Sequence, residues 1–336
     1  MRRPTMKDIA DAAGVSRGAA SFALNDRPGV SEETRARVKR VAKEMGWTPS
    51  PAALALSSRR ARAVGLVIAR PADSFASEGF FLRFISGVES VLQPLGLALV
   101  LQIVPDLEAE LAVCRQWWAE GRVDGLLLVD PRPEDPRPEL LAEVGLPGVV
   151  VGGSMRPPLL SGLATDDEGP MRAIVEHLAG QGHRRLAYVI GFGELNHTQD
   201  RSRSLRSAAE EIGVEVVESG VTGFTEDAGF RETEVLVGED RRPTAIIYDN
   251  EILALGGLAA VHSLGLKSPD DVALVSCEDS PVCRVVQPPI TALVRDPAAL
   301  GVRATELLLD LVNGGEPTET REDTPQLVVR GSSSAG

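Results

Sequence analysis

The sequence predicts a small all-α head followed by an α/β core of two doubly wound, parallel-sheet lobes. Three observations carry this. Near the N-terminus, three short apolar-periodic stretches each begin at a Ser or Thr cap. From Ala63 onward, apolar and β-branched runs alternate with helical stretches over about 270 residues, too much for one modest sheet. Charge divides at the same place: residues 1–62 hold 13 Lys and Arg against 6 Asp and Glu, a net +7, and the remainder holds 22 against 42, or −20. A basic head on an acidic body meets a polyanion with one end only.

In the head, Thr5 precedes MKDIADAA, with Asp8 placed as a capping-box acid. Ser16 precedes RGAASFAL. Ser31 precedes EETRARVKRVAKEM, which has acids in its first turn and Lys43 near its end, as the helix dipole favours. Ile9, Ala10, Ala13, Val15, Ala20, Leu24, Val38, Val41 and Met45 are the expected miniature core. Gly14 makes the turn, and Ala10 and Ala20 are small enough for the first two helices to cross closely. That is a helix-turn-helix, whose second helix enters the DNA major groove. With Ala20 and Leu24 inward, Arg17, Gly18, Ser21 and Phe22 face outward as base readers, and Asn25 closes the same stretch. Thr5, Ser16, Ser31 and Thr34 sit where cap hydroxyls contact phosphates. The competing reading, a plain surface packing helix, is disfavoured by the basic flanks.

In the core, strands are expected at 63–69, 97–104, 123–130, 146–152, 185–191, 244–249 and 271–277. Helices are expected at 80–95, 167–181, 199–212, 250–264 and 296–313, among others. Ligands of such folds lie beyond the carboxyl ends of the strands, which between two lobes means a cleft.

The stretch from Thr5 to Ile68, TMKDIADAAGVSRGAASFALNDRPGVSEETRARVKRVAKEMGWTPSPAALALSSRRARAVGLVI, resembles the head and hinge of a LacI/GalR-family bacterial transcriptional regulator. ATDDEGPMRAIVEHLAGQGHRRLAYVIG, QDRSRSLRSAA, YDNEILALGGLAAVHSLGLKSPDDVALVSCEDSP, QPPITAL and LVVRGSS follow in the family's order and spacing. The resemblance implies a head at 1–49, a hinge helix and linker at 50–62, and a periplasmic-binding-protein-like core. One lobe would be 63–162 with 293–322, the other 163–292 with 323–333. It also implies that paired hinge helices approach through Ala53 and wedge Leu56 into the minor groove, bending the DNA. The effector cleft would be lined by Phe80, Phe81, Arg201, Phe224, Asn250 and Glu278, with Asp130 added for its place at a strand end. The sequence departs from the family's pattern at several points. Phe22 stands where an arginine follows the serine, and Leu54 replaces a hinge arginine. Ser204-Leu205 replaces Gly-Phe, Glu251 an aspartate, and Glu278 the usual aspartate. The operator is expected to differ accordingly.

The implied function is a repressor acting as a homodimer on near-palindromic double-stranded operator DNA, under a small-molecule effector, a sugar. Alternatives are control by a protein co-regulator or by no effector, or a soluble solute-binding protein. No cofactor, metal or membrane partner is expected, and the protein is expected in the cytoplasm with the nucleoid. MRRPTMKDIADAAG has no apolar segment of a signal peptide, and Cys114, Cys277 and Cys283 form no metal or disulfide pattern. GFGELN lacks the third glycine of a dinucleotide fingerprint, and no Walker A loop or HExxH occurs. His177 and His183 are expected in structural roles. The terminal GSSSAG has no leucine heptads, so a tetramerising tail is not expected.

Overall fold

The computed structural model describes residues 4–47, 60–71, 75, 78–152 and 160–334. Residues 1–61 and 62–336 form two compact units. Ala53, Leu54 and Leu56 lie outside the described residues.

The first unit contains α1 (Met6–Ala13), α2 (Arg17–Leu24) and α3 (Glu32–Glu44). Each starts where its hydroxyl cap was expected. Thr5 and Asp8 form a reciprocal capping box, Ser16 Oγ accepts from the Ala19 N–H at 3.1 Å, and Ser31 Oγ accepts from that of Thr34 at 3.2 Å. Gly14 ends α1 in the left-handed region at φ 64°, where a side chain would be strained. The core is Ile9, Ala10, Ala13, Ala20, Ala23, Val38 and Ala42, with Val15, Leu24, Val41 and Met45 packed around it half-buried. Ala23, not Leu24, is therefore the fully inward residue of the second turn of α2; an alanine there lets α2 lie close to its neighbours. Gly14–Gly18 also spells a nucleophile-elbow pattern, but it joins helix to helix and lacks the strand that pattern requires.

The second unit has two six-stranded sheets. The first contains β1 (Ala63–Ala69), β2 (Ala98–Val104), β3 (Gly125–Leu128), β4 (Gly148–Val151), β5 (Ser161–Ala164) and β11 (Glu319–Arg321), in the order β11-β5-β4-β3-β1-β2. The second contains β6 (Arg185–Val189), β7 (Glu215–Glu218), β8 (Ala245–Tyr248), β9 (Ala273–Ser276), β10 (Thr291–Val294) and β12 (Gln326–Val328), in the order β12-β10-β9-β8-β6-β7. Every pairing is parallel except β10 with β12. Strands β3, β4, β8 and β9 are buried at every residue, as central strands covered by helices on both faces must be.

Two expected chain crossings move. Leu163 and Ala164 pair within the first sheet, and Leu293 and Val294 within the second. A crossing has to fall in unpaired chain, so the lobes exchange at 165–167, 295–296 and 322–325 rather than inside β5 and β10.

The five expected core helices appear as α4 (Gly79–Leu92, extended by a 3-10 turn at Gln93–Leu95), α7 (Glu168–Gly180), α8 (Asn196–Ile212), α10 (Glu251–Ser263) and α12 (Pro297–Val312). Between them lie α5 (Leu107–Glu120), α6 (Arg137–Val144), α9 (Glu226–Val237) and α11 (Pro281–Val285). One close helix pair recurs in each lobe. A Cβ on Gly87 of α4 would lie 2.0 Å from the Ala298 carbonyl oxygen, and one on Gly301 of α12 would lie 2.2 Å from that of Phe84. In the other lobe, a Cβ on Gly229 of α9 would lie 2.2 Å from Leu253 O, and one on Gly256 of α10 would lie 2.0 Å from Glu226 O. Alanine is the better helix former by up to ~1 kcal/mol, so the sign of a substitution separates propensity from packing. Gly256→Ala should lower stability by about 1–3 kcal/mol through overpacking. Gly180→Ala, with open space around it, should be neutral or stabilising. Urea midpoints of the two variants test this, and a stabilised Gly256→Ala would show that the helices are not in close contact.

Candidate functional site

The outward face of α2 presents Arg17, Gly18 and Asn25 exposed, Phe22 41 % exposed, and Ser21 half-buried. Among the described residues Arg17 has no ion-pair partner, so its guanidinium is available to a base edge or phosphate. The loop after α2 is pinned from behind. Asp26, left-handed at φ 52°, accepts from Lys39 Nζ at 2.6 Å and from Arg35 Nη1 at 3.2 Å, while Arg35 Nη2 donates to the Arg27 carbonyl. Two of the head's cations are thus spent on the loop. Thr5 donates both its N–H and its hydroxyl to Asp8 at 2.7 Å, so it holds the start of α1 rather than offering donors to phosphate. Ser31 donates its hydroxyl to Thr34 Oγ1, while Ser16 caps Ala19 with its oxygen.

In the second unit the strand order changes direction between β1 and β3 in one lobe and between β6 and β8 in the other. These are topological switch points, where the chain leaves a strand's carboxyl end on opposite sides of the sheet and opens a crevice. Arg70 follows β1, Asp130 follows β3 by two residues, and Asp249-Asn250 follows β8. The two crevices face each other across one cleft with about 660 Å³ of empty space, including that open to solvent. Its walls contain all seven expected residues: Phe80, Phe81, Asp130, Arg201, Phe224, Asn250 and Glu278.

The two phenylalanines divide the work. Phe81 is 1 % exposed and belongs to the core of its lobe, whereas Phe80 is half-buried and stacks on Phe84 at 6.1 Å. Phe224 is buried, edge-on to Phe192 and alongside the ring of His197. Burial, with the nearby Arg201, holds His197 below its ordinary pKa and therefore neutral.

Arg201, expected in the cleft lining, is enclosed by carboxylates. It is 2 % exposed, and its nitrogens meet Asp167 Oδ1 at 3.2 Å, Asp249 Oδ1 at 2.8 Å and Glu278 Oε1 at 2.8 Å. Asp249 also accepts from Tyr188 and Thr198. Burial opposes its charge, but Arg201, the nearby His197 and the Thr198 hydroxyl still hold Asp249 below its ordinary pKa. Arg295 meets Glu278 at 3.4 Å, Glu322 at 3.3 Å and Asp167 at 3.9 Å. Asp167, Arg295 and Glu322 come one from each chain crossing, so a single ionic cluster binds the three crossings together.

Sequence reasoning missed Arg70, Glu78, Asp249, His197 and Arg295. Arg70 is 3 % exposed; it donates to Asp130 Oδ2 at 2.8 Å and lies over Phe192 at 4.6 Å and Phe224 at 4.8 Å, rings of the opposite lobe. Its place directly after an apolar strand was the available signal; Glu78 had none. Asp130 is held at a left-handed φ of 51° while Arg137, buried with Glu110 and Asp135, donates to the Val129 and Asp130 carbonyls. Across the cleft, Glu251 Oε1 accepts from the Gly79 N–H at 3.3 Å, so one lobe caps a helix of the other. A second bridge runs from the Asn196 N–H to the Pro131 carbonyl at 2.9 Å.

Five buried polar atoms on cleft residues have no hydrogen-bond partner: Arg70 Nη1, Glu78 Oε1, Asn250 Nδ2, and Arg295 Nε and Nη2. Nine such atoms occur among the described residues, so more than half belong to this site. Groups left this way cost stability unless a ligand or solvent satisfies them. Burial pushes Glu78 up to about 8 and Glu251 to about 7, with neighbouring carboxylates adding to both. His177 and His183 bond Ser333 and Thr244 and lie outside the cleft lining. Among the described residues no His, Cys, Asp and Glu cluster could hold a metal, and no helix is long and apolar enough to cross a membrane.

Residues 5–50 match the bacterial regulatory proteins of the lacI family, and residues 175–333 match the periplasmic binding protein-like domain. The chain is 33 % identical over 325 residues to the HTH-type transcriptional regulator CelR of Thermobifida fusca, covering 95 % of this chain and 94 % of that protein. The chain belongs to the LacI family. It is also 30 % identical to the HTH-type transcriptional repressor PurR of Escherichia coli O139:H28, over 99 % of this chain and 97 % of that one. The structure of a CelR–cellobiose complex superposes with a TM-score of 0.73 at 29 % identity, covering 98 % of this chain and all of that one. Like these LacI-family relatives, the protein is a DNA-binding transcriptional regulator and not an enzyme.

Two outcomes test the site. Arg201→Met leaves three carboxylates without their shared cation, so unfolding free energy should fall by roughly 3–5 kcal/mol in urea titrations. A variant as stable as the parent would show that the cluster does not depend on it. Glu78 binds a proton more tightly folded than unfolded, so its contribution to stability is largest in acid and is lost as pH rises through about 8. Glu78→Gln should therefore lose less thermal stability than the parent between about pH 5 and 9. Parallel Tm–pH curves would place the Glu78 carboxyl in contact with water.

Proposed function

We propose that this LacI-family regulator is a repressor that binds a near-palindromic operator as a homodimer and responds to a sugar held between its lobes. The observation that carries the reading is the concentration, in one aromatic-walled cleft, of buried polar atoms that have no hydrogen bond and at most an ion pair at 3.4–3.9 Å, on a chain whose head is a helix-turn-helix. Hydroxyl groups donate and accept, so a polyol answers Glu78 as well as Arg70 and Asn250. Phe80, half-buried on the cleft wall, offers a flat apolar face to a sugar ring, and the ring of Phe224 under Arg70 adds apolar lining. The cellobiose complex of CelR supports a sugar, and the PurR relative keeps nucleobases among the compounds to compare.

Each head would read one half-site through Arg17, Gly18, Ser21, Phe22 and Asn25, with phosphates held near Ser16, Ser31 and Thr34. Ala53 and Leu56 would pair and wedge at the centre of the site. Support for a homodimer comes from exposed apolar side chains on both lobes: Leu82 on α4, Leu101 and Ile103 on the edge strand β2, and Val285 on α11. Closure is set by contacts a ligand can bias, namely Glu251 on Gly79, Asn196 on Pro131, and Arg70 between rings of the other lobe. An effector changes operator affinity only if it prefers one lobe angle. The working place is the cytoplasm, on the nucleoid.

In vitro selection of random duplex DNA with the full chain should enrich one near-palindromic sequence. Gel-shift titrations with cellobiose, other mono- and disaccharides and nucleobases should find a compound that alters its affinity by about 5- to 150-fold. No enriched sequence, or binding that survives deletion of residues 1–62, would overturn the reading. Specific binding that no compound in the panel alters would overturn the sugar reading and favour a protein co-regulator or no effector.

A further inference from the structure

We infer that the cleft is built for an uncharged, hydroxyl-rich ligand and excludes the phosphorylated form of that ligand. This rests on the cleft being the effector site. Among the described residues its walls carry three guanidiniums (Arg70, Arg201 and Arg295) against five carboxyl groups (Glu78, Asp130, Asp249, Glu251 and Glu278). None of the three cations is left to neutralise an incoming anion. Arg70 is taken by Asp130 at 2.8 Å, by Glu78 at 3.7 Å and by two rings of the opposite lobe. Arg201 is taken by three carboxylates, and Arg295 by Glu278 and by Glu322 and Asp167 of the chain crossings.

A phosphate entering here would satisfy the orphaned donors Arg70 Nη1, Asn250 Nδ2 and Arg295 Nη2. It would do so by setting two negative charges beside carboxyl groups that already repel one another. Burial first, and the neighbouring carboxylates after it, hold Glu78 and Glu251 towards their protonated forms, so the standing negative charge is on groups such as Asp130 and Asp249, whose arginines keep them below the ordinary carboxylate range. In a partly desolvated cleft such repulsion is poorly screened. A phosphate is mainly an acceptor, whereas a hydroxyl can meet Glu78 Oε1 whether the carboxyl is protonated or ionised. A hydroxyl satisfies both kinds of orphan and adds no charge. The aromatic face of Phe80 suits an apolar ring surface and contributes nothing to an anion.

The test is calorimetric titration of the full chain with matched pairs: glucose and glucose 6-phosphate, adenosine and AMP, and cellobiose alone. Chloride is added to screen the exposed basic head, which screens the buried cleft much less. The neutral member of any pair that binds should win by at least about tenfold. A phosphorylated member that binds as tightly as its neutral partner overturns the inference, while the regulator reading stands. Silence across every pair counts against an effector in this panel, and a second arm then decides. Glu251→Gln/Glu278→Gln, checked for folding by circular dichroism, should gain affinity for glucose 6-phosphate or AMP by about tenfold or more over the parent. Glu251→Gln alone, which can keep its bond to Gly79, should gain a smaller share. If neither folded variant gains any, the carboxylates are not what excludes anions and the inference fails.

Discussion

Keeping the guanidiniums of Arg201 and Arg295 paired out of water is the constraint on which the core depends. An unpaired charge of either sign in that place costs several kcal/mol, so the elements that supply partners are held to within hydrogen-bond distance of each other. Those elements are the three chain crossings, through Asp167, Arg295 and Glu322, and the ends of β8 and β9, through Asp249 and Glu278. Two lobes are joined here by three separate segments, and the ionic cluster ties those segments together beside the cleft, whose wall includes Arg201, Glu278 and Arg295.

The lobes repeat one solution. Each has its direction change between the first and third strands, a close helix pair seated on reciprocal glycines, and a polar residue placed just past a strand end. The repetition makes the cleft two-sided, and the sides differ in chemistry. The first lobe brings Arg70, Glu78 and the phenylalanines of α4; the second brings Arg201, Asp249, Asn250, Glu251 and Glu278. Arg70 crosses the divide, lying against Phe192 and Phe224 while held by Asp130 on its own side. That arrangement adds a cation–π contact to the two hydrogen bonds between the lobes.

The head solves a different problem with less material. Its core is nearly all alanine, with Ile9 and Val38 as the larger fully buried side chains, which brings three short helices close together. Short helices in so small a unit depend on their ends, hence the three hydroxyl caps and the Asp26 clamp on Lys39 and Arg35. Using those cations for structure leaves Arg17 as the long unpaired donor on the face of α2 among the described residues. Phe22 is the large apolar group beside it.

By itself the sequence determined the head almost residue by residue, because caps, a left-handed glycine and apolar spacing act within four residues of one another. It determined the lobe architecture from alternation, and the central strands from unbroken apolar runs. It was less informative about four-residue strands such as β5, β7 and β10, whose existence depends on partners far away in the chain. The family pattern pointed to seven residues that the fold brings to one cleft, and their charges and sizes could be read directly. Tertiary structure alone decided what those residues do. Arg201 is a buried hub because Asp167, Asp249 and Glu278 arrive from three other segments. Arg70 and Glu78 became cleft residues because the strand order placed their chain segments opposite the second lobe. Long-range charge pairing has no period in a sequence, so only the fold could assign it.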